Sequence, residues 1–131
     1  KQVNDTRGHA VGDLALKHAA RLIQSSLRKS DLCCRWGGEE FVILLPDTAL
    51  EDAAGVAEKL RLAIVANPVA LESGSLPMTA SFGVAEGDRS LEALIDRADS
   101  ALYRAKNEGR NRVAVDEAAA DLDPSPSPAA A

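Results

Sequence analysis

Cysteine is scarce in these 131 residues. The two present, Cys33 and Cys34, are adjacent, without the C-x-x-C spacing or nearby histidine that a zinc site needs. They read as reduced residues of an interior strand in a cytosolic domain. Long apolar runs are missing too. Nothing approaches the ~18 residues of a membrane span, and no signal-peptide pattern opens the chain. Basic excess is the third absence. A formal net charge of -5 speaks against a nucleic-acid partner. A phosphate site on such a chain has to be local, built from a few Lys and Arg side chains and backbone N–H groups. What is present is 46% hydrophobic and 27% charged residues. That balance suits one soluble α/β domain with a core of its own.

The chain opens in a polar, Gly-punctuated loop through Asn4, Asp5 and Gly8. Leu16, Ala20, Ile23 and Leu27 then recur at helical spacing and predict a helix closed by Arg28 to Asp31. Leu32 to Trp36 and Phe41 to Leu45 flank Gly37-Gly38-Glu39-Glu40, which predicts a β-hairpin. Thr48 and Glu51 have capping-box spacing before a second helix with the stripe Ala53, Ala57, Leu60 and Ile64. Alternation over Met78 to Ala85 predicts a half-buried strand. Ser90 is placed to cap a third helix with Leu91, Leu94, Ala98, Leu102 and Ala105 inside, and Arg112 to Val115 make a last strand. From Asp116 onward the sequence is Ala-, Asp- and Pro-Ser-rich and is expected to be disordered. The order α, β-hairpin, α, β, α, β starts with a helix. A βα unit whose first strand precedes Lys1 is the expected explanation.

Gly37-Gly38-Glu39-Glu40-Phe41 lies at the hairpin turn. On composition alone two readings stand. It is an ordinary tight turn with solvated acids, or a site where Gly lets a phosphate approach the backbone and carboxylates hold a hard cation. Three companions sit in order around it: Asn4-Asp5-x-x-Gly8-His9-x-x-Gly12-Asp13, then Arg28-x-x-Asp31, then Ala98-Asp99-x-Ala101-Leu102-Tyr103-x-Ala105-Lys106-x-x-Gly109-Arg110-Asn111. Together these four motifs resemble the GGDEF family of diguanylate cyclases, from Lys1 to about Val115. The resemblance implies a domain over residues 1–115 and a tail over 116–131.

The resemblance also implies an α/β (α+β) fold, a ferredoxin-like, nucleotide-cyclase-like sheet flanked by helices. The implied reaction condenses two GTP into cyclic di-GMP plus pyrophosphate, with Mg²⁺ or Mn²⁺ as cofactor. Glu39 is implied as metal ligand and catalytic group, Glu40 as a second metal or electrostatic group, and Lys1 as a cation near the transition state. Asn4 and Asp13 match guanine-binding positions, and an amide with a carboxylate suits guanine's N1–H and N2–H donors. His9, Gly37 and Gly38 match substrate-contact positions. Lys106 and Arg110 match the pair that grips the triphosphate, although cations at a helix C-terminus also suit its dipole. Arg28 and Asp31 match an inhibitory site for cyclic di-GMP, and Lys59 falls where some members place a second inhibitory Arg. Further implications are a homodimer formed through an upstream regulatory domain, no nucleic-acid partner, and a cytoplasmic location, with the domain free or part of a larger membrane-bound protein. One departure stands out. The family's first metal-binding Asp lies on the strand before Lys1, outside these residues, so the 131 residues alone are expected to be inactive. The alternatives are a non-catalytic receptor for cyclic di-GMP or GTP, or an inactive piece of a larger signalling protein.

Overall fold

The computed structural model describes residues 9–87, 90–116 and 129–130. In chain order these form α1 (His9–Ser26), β1 (Leu32–Gly37), β2 (Glu40–Leu45), α2 (Leu50–Ala66), β3 (Val69–Leu71), β4 (Gly74–Leu76), β5 (Phe82–Glu86), α3 (Leu91–Asn107), β6 (Val113–Val115) and β7 (Ala129–Ala130). Five strands make one sheet in the order β1-β2-β7-β5-β6, and β3 and β4 pair separately. β1 and β2 form the expected antiparallel hairpin, with Cys34 opposite Val42. β5 and β6 run parallel, as strands joined through a crossover helix do, and α3 is that crossover. Among the described residues no helix is long and apolar enough to cross a membrane.

Strand alternation distributes the core over both faces of the sheet. Ile43 and Leu45 of β2, with Phe82 and Val84 of β5, meet Ile23 of α1 and Ala53, Ala57, Leu60 and Ile64 of α2. All four stripe residues expected on α2 are buried. On the opposite face, Leu44 and Ala85 pack with Leu94 and Ala98 of α3, and Ala114 of β6 packs with Ala101 and Ala105. The result is a helix–sheet–helix sandwich. Complete burial of Leu45, Leu60, Ile64 and Val84 contributes roughly 1.5–3 kcal/mol each.

Several expectations are corrected. The strand expected from Met78 is confined to Phe82–Glu86, and it is buried on both faces rather than one. The reason is that α3 covers the face carrying Gly83. A Cβ there would lie 2.1 Å from the Ala98 carbonyl oxygen and 2.2 Å from the Leu102 nitrogen. Thr48 does not cap α2. Its N-cap is Ala49, without a side-chain bond, because the Thr48 hydroxyl donates to the Pro46 carbonyl and accepts from Arg28. Glu86, at the end of β5, accepts from Leu50 N–H at 3.0 Å and caps the helix from outside. Ser90 does cap α3, accepting from Ala93 N–H. Leu91, expected inside, is exposed, and Ala101 is buried instead.

On α1 the buried line is Ala15, Ala19 and Ile23, one position round from the expected stripe. Among the described residues Cys33 and Cys34 lie on an edge strand, not an interior one. Cys33 is half-buried and Cys34 exposed, and both thiols are free. The β3–β4 hairpin is an element that the sequence pattern did not reveal, since three residues per strand are too few to show a period. Of the tail expected to be disordered, Asp116 is fixed by an N–H bond to the Val84 carbonyl and an ion pair with Arg97. Ala129–Ala130 pair antiparallel with both β2 and β5. The rest of the tail, and the loop before His9, lie outside the described residues.

Gly83→Ala is expected to destabilise the domain by about 3 kcal/mol, at the upper end for one added carbon, because rigid backbone occupies the space. An unchanged midpoint in urea unfolding would show that α3 does not need this close approach.

Candidate functional site

The hairpin motif turns at Gly38, which has φ 40°, a left-handed conformation that glycine adopts at no steric cost. Among the described residues nothing lies within 4 Å of where a Cβ of Gly37 or Gly38 would stand, which leaves the backbone here open on their side. Arg35 fixes the turn. Its Nε and Nη2 donate to the Gly38 carbonyl at 2.9 and 2.6 Å. Glu39 is exposed at the turn, and Glu40 begins β2 opposite Gly37.

The last turn of α3 reaches the same place. The Lys106 ammonium lies 3.5 Å from the Glu40 carboxylate, with both side chains more than a third exposed. Four residues on, Arg110 is exposed in the turn after α3, at φ 61°. An ion pair this exposed contributes at most about 1 kcal/mol. Its meaning is positional: a cation from the end of α3 stands beside the hairpin carboxylate Glu40, 66 residues away in sequence.

A cleft of about 420 Å³ opens between α1 and the hairpin. From α1 it is lined by Asp13, Leu16, Lys17, Ala20 and Gln24, and from the hairpin by Cys33, Arg35 and Phe41. Leu16 and Ala20 were expected in the core. They form the apolar wall of this cleft instead. Asp13 is exposed in it, and burial pushes the Cys33 thiol pKa up. Arg35 borders the cleft and holds the Gly38 carbonyl, which joins the cleft to the hairpin turn. Sequence reasoning passed over Arg35, Lys17 and Gln24. For Arg35 a signal existed, since Cys33 and Arg35, two positions apart, share one face of β1.

Arg28 and Asp31 are brought together, though with each other as first partners. Arg28 Nη2 donates to Asp31 Oδ1 at 3.0 Å, and the Arg28 N–H donates to Asp31 Oδ2 at 2.8 Å. The same Nη2 reaches Thr48 Oγ1 at 3.0 Å and lies 3.4 Å from the Pro46 carbonyl oxygen. This ties the end of α1 to the β2–α2 connection. The hydrogen bond from Arg28 holds the Asp31 carboxyl below the usual carboxylate range, and the same contact raises Arg28. Of the other expected site residues, Lys1 and Asn4 lie outside the described residues. His9 begins α1, but its side chain is likewise outside them.

With this geometry established, comparison with known proteins is direct. The family profile "Diguanylate cyclase, GGDEF domain" matches residues 1–112. The chain belongs to the GGDEF family. Diguanylate cyclase DgcM of Escherichia coli (strain K12) is 50% identical over 115 residues, covering 86% of this chain and 27% of that protein. Response regulator PleD of Caulobacter vibrioides (strain NA1000 / CB15N) is 46% identical over 119 residues, covering 86% and 26%. The chain therefore spans about a quarter of the length of these curated relatives. Among solved structures, the GGDEF domain of DgcB from Caulobacter crescentus, in complex with c-di-GMP, superposes with a TM-score of 0.83 at 34% identity, over 88% of this chain and 71% of that one. The active GGEEF domain of a diguanylate cyclase from Vibrio cholerae gives 0.78 at 36% identity, over 88% and 74%.

The Asp31 shift has a pH consequence. Its folded pKa lies below the ordinary aspartate value of 3.8, so the carboxylate stabilises the fold fully above that pH. The contribution is lost as pH falls through the lowered folded value. Asp31→Asn is therefore expected to melt below wild type at pH 6, with the gap closing as pH falls below the ordinary aspartate value and through the lowered folded one. A gap independent of pH would show that the charge of Asp31 is not what holds the end of α1.

Proposed function

We propose that the domain catalyses the condensation of two GTP into cyclic di-GMP and two pyrophosphates, for second-messenger signalling in the cytoplasm. The observation that carries this reading is the meeting of the Gly-Gly-Glu-Glu turn with Lys106, at 3.5 Å from Glu40, beside a cleft bearing Asp13. Guanine enters the cleft, where the Asp13 carboxylate accepts from N1–H and N2–H, with Asn4 and His9 as further contacts. The triphosphate runs over Gly37 and Gly38 to Lys106 and Arg110. The 3′-oxygen of one GTP attacks the α-phosphorus of the other, and the bond to the pyrophosphate oxygen breaks. Glu39 takes the 3′-hydroxyl proton, and Lys1 stands by the developing charge. A second, equivalent transfer closes the ring.

A divalent metal fits the residues at the turn. Among the described residues no group of three His, Cys, Asp or Glu side chains could hold a metal ion. Glu39 and Glu40 are nevertheless adjacent hard-oxygen donors, and Mg²⁺ is usually held by one or two carboxylates together with substrate phosphates. Mg²⁺, or Mn²⁺ in its place, would supply neutralisation of phosphate charge and a lowered pKa for the 3′-hydroxyl. Since each domain holds one GTP, two copies face each other across a two-fold axis, which makes the two attacks equivalent. Arg28 and Asp31 form the product-binding inhibitory site. Binding there exchanges part of the Arg28–Asp31 fork for contacts to phosphate or guanine.

The direct test is chromatography of the full-length protein incubated with GTP and Mg²⁺, looking for cyclic di-GMP. Glu39→Gln keeps size and removes charge, and is expected to lower turnover by at least about a hundredfold while leaving the melting temperature unchanged. Turnover within threefold of wild type would remove Glu39 from the chemistry.

A further inference from the structure

The turn that carries Arg110 is held in an uncommon conformation. Gly109, Arg110 and Asn111 have φ values of 126°, 61° and 47° in succession. Asn tolerates the left-handed region, but Arg seldom adopts it unless its surroundings enforce it. Backbone bonds supply part of the enforcement. Arg110 N–H donates to the Ala105 carbonyl, and Phe82 N–H donates to the Arg112 carbonyl, each at 2.9 Å.

The rest comes from side chains of other elements. Asn111 N–H donates to Ser81 Oγ at 3.1 Å, just before β5. Asn111 Oδ1 accepts from Arg61 Nη1 of α2 at 2.9 Å, across 50 residues of sequence. Arg61 is itself aimed. Its Nε and Nη2 donate to the two oxygens of Glu58 at 2.8 and 2.6 Å, which leaves Nη1 directed at Asn111. Its side chain is only 18% exposed. One guanidinium thus satisfies two partners at once through a rigid fork, which a lysine ammonium cannot copy.

We propose that Arg61 is a positioning residue for the phosphate-binding turn, setting the orientation of Arg110 through Asn111; this rests on the reading that Lys106 and Arg110 hold the triphosphate. Arg61 lies outside the Gly-Gly-Glu-Glu motif and needs no contact with the nucleotide. Its effect reaches the substrate only where phosphates are present.

The test compares calorimetric affinities of the protein for GTP with Mg²⁺ and NMR-titrated affinities for guanosine, in Arg61→Lys, Asn111→Gly and the double variant. Asn111→Gly keeps the left-handed backbone accessible and deletes only the tether, so loss of fold does not explain its effect. Each single variant, and the double, is expected to bind GTP about tenfold more weakly, with guanosine affinity unchanged. Losses that multiply in the double variant would overturn the coupling of Arg61 to Asn111, as would equal losses for guanosine. Lys106→Ala and Arg110→Ala separate the underlying reading. GTP affinity unaffected by either would overturn the phosphate site, and with it the role of Arg61.

Discussion

The close approach of α3 to β5 at Gly83 is the constraint on which the site depends. With no side chain between them, the helix backbone at Ala98 and Leu102 rests on the strand itself. That contact fixes the height of α3 over the sheet. Ala101 and Ala105 pack on Ala114 in continuation of it. Small residues along this seam hold the helix close, and its last turn consequently emerges beside the hairpin. Lys106 meets Glu40 because of packing that begins two helical turns earlier. The same seam delivers the Gly109–Asn111 turn to Arg61 and Ser81, so one line of small residues positions both cations expected to grip phosphate.

On the proposed function, an acidic chain has to attract an anion. Net charge is -5, so the domain as a whole repels a triphosphate. Local arrangement has to overcome this, and it sets Arg35 and Lys106 beside an open glycine turn. The Lys106–Glu40 pair is too exposed to matter much for stability. A weak pair suits a site where phosphate competes for the same ammonium. The Arg28–Asp31 pair is different in kind. The Asp31 side chain is 4% exposed, and Arg28 spans three partners across two elements. A ligand at this place competes with contacts that already brace the fold.

Much of this was legible in the sequence, for reasons specific to certain residues. The hairpin showed because a Gly-Gly turn between two apolar runs leaves the chain few alternatives. The stripe on α2 showed because Ala53, Ala57, Leu60 and Ile64 all face one sheet. β5 was misjudged because alternation records side chains, and at Gly83 the burial comes from helix backbone. Thr48 was misjudged because its hydroxyl had a stronger claimant in Arg28, far away in sequence. Leu16 and Ala20 look like core residues in any helical pattern, and only the shape of the cleft shows them to be its wall. Individual candidate site residues were nominated by the motifs that carry the family resemblance. The joining of Glu40 to Lys106, and of Arg61 to Asn111, was not, since no local pattern encodes contacts across 66 and 50 residues.

On the proposed function, the hairpin turn, the α1 cleft and the end of α3 form a single nucleotide site. Amide chemical-shift mapping of the ¹⁵N-labelled protein during titration with GTP and Mg²⁺ tests it most directly. Shifts saturating together at Asp13, Gly37 to Glu40, Lys106 and Arg110, with one dissociation constant, are the predicted result. Shifts confined to one of these three segments, or saturating at different concentrations, would contradict it.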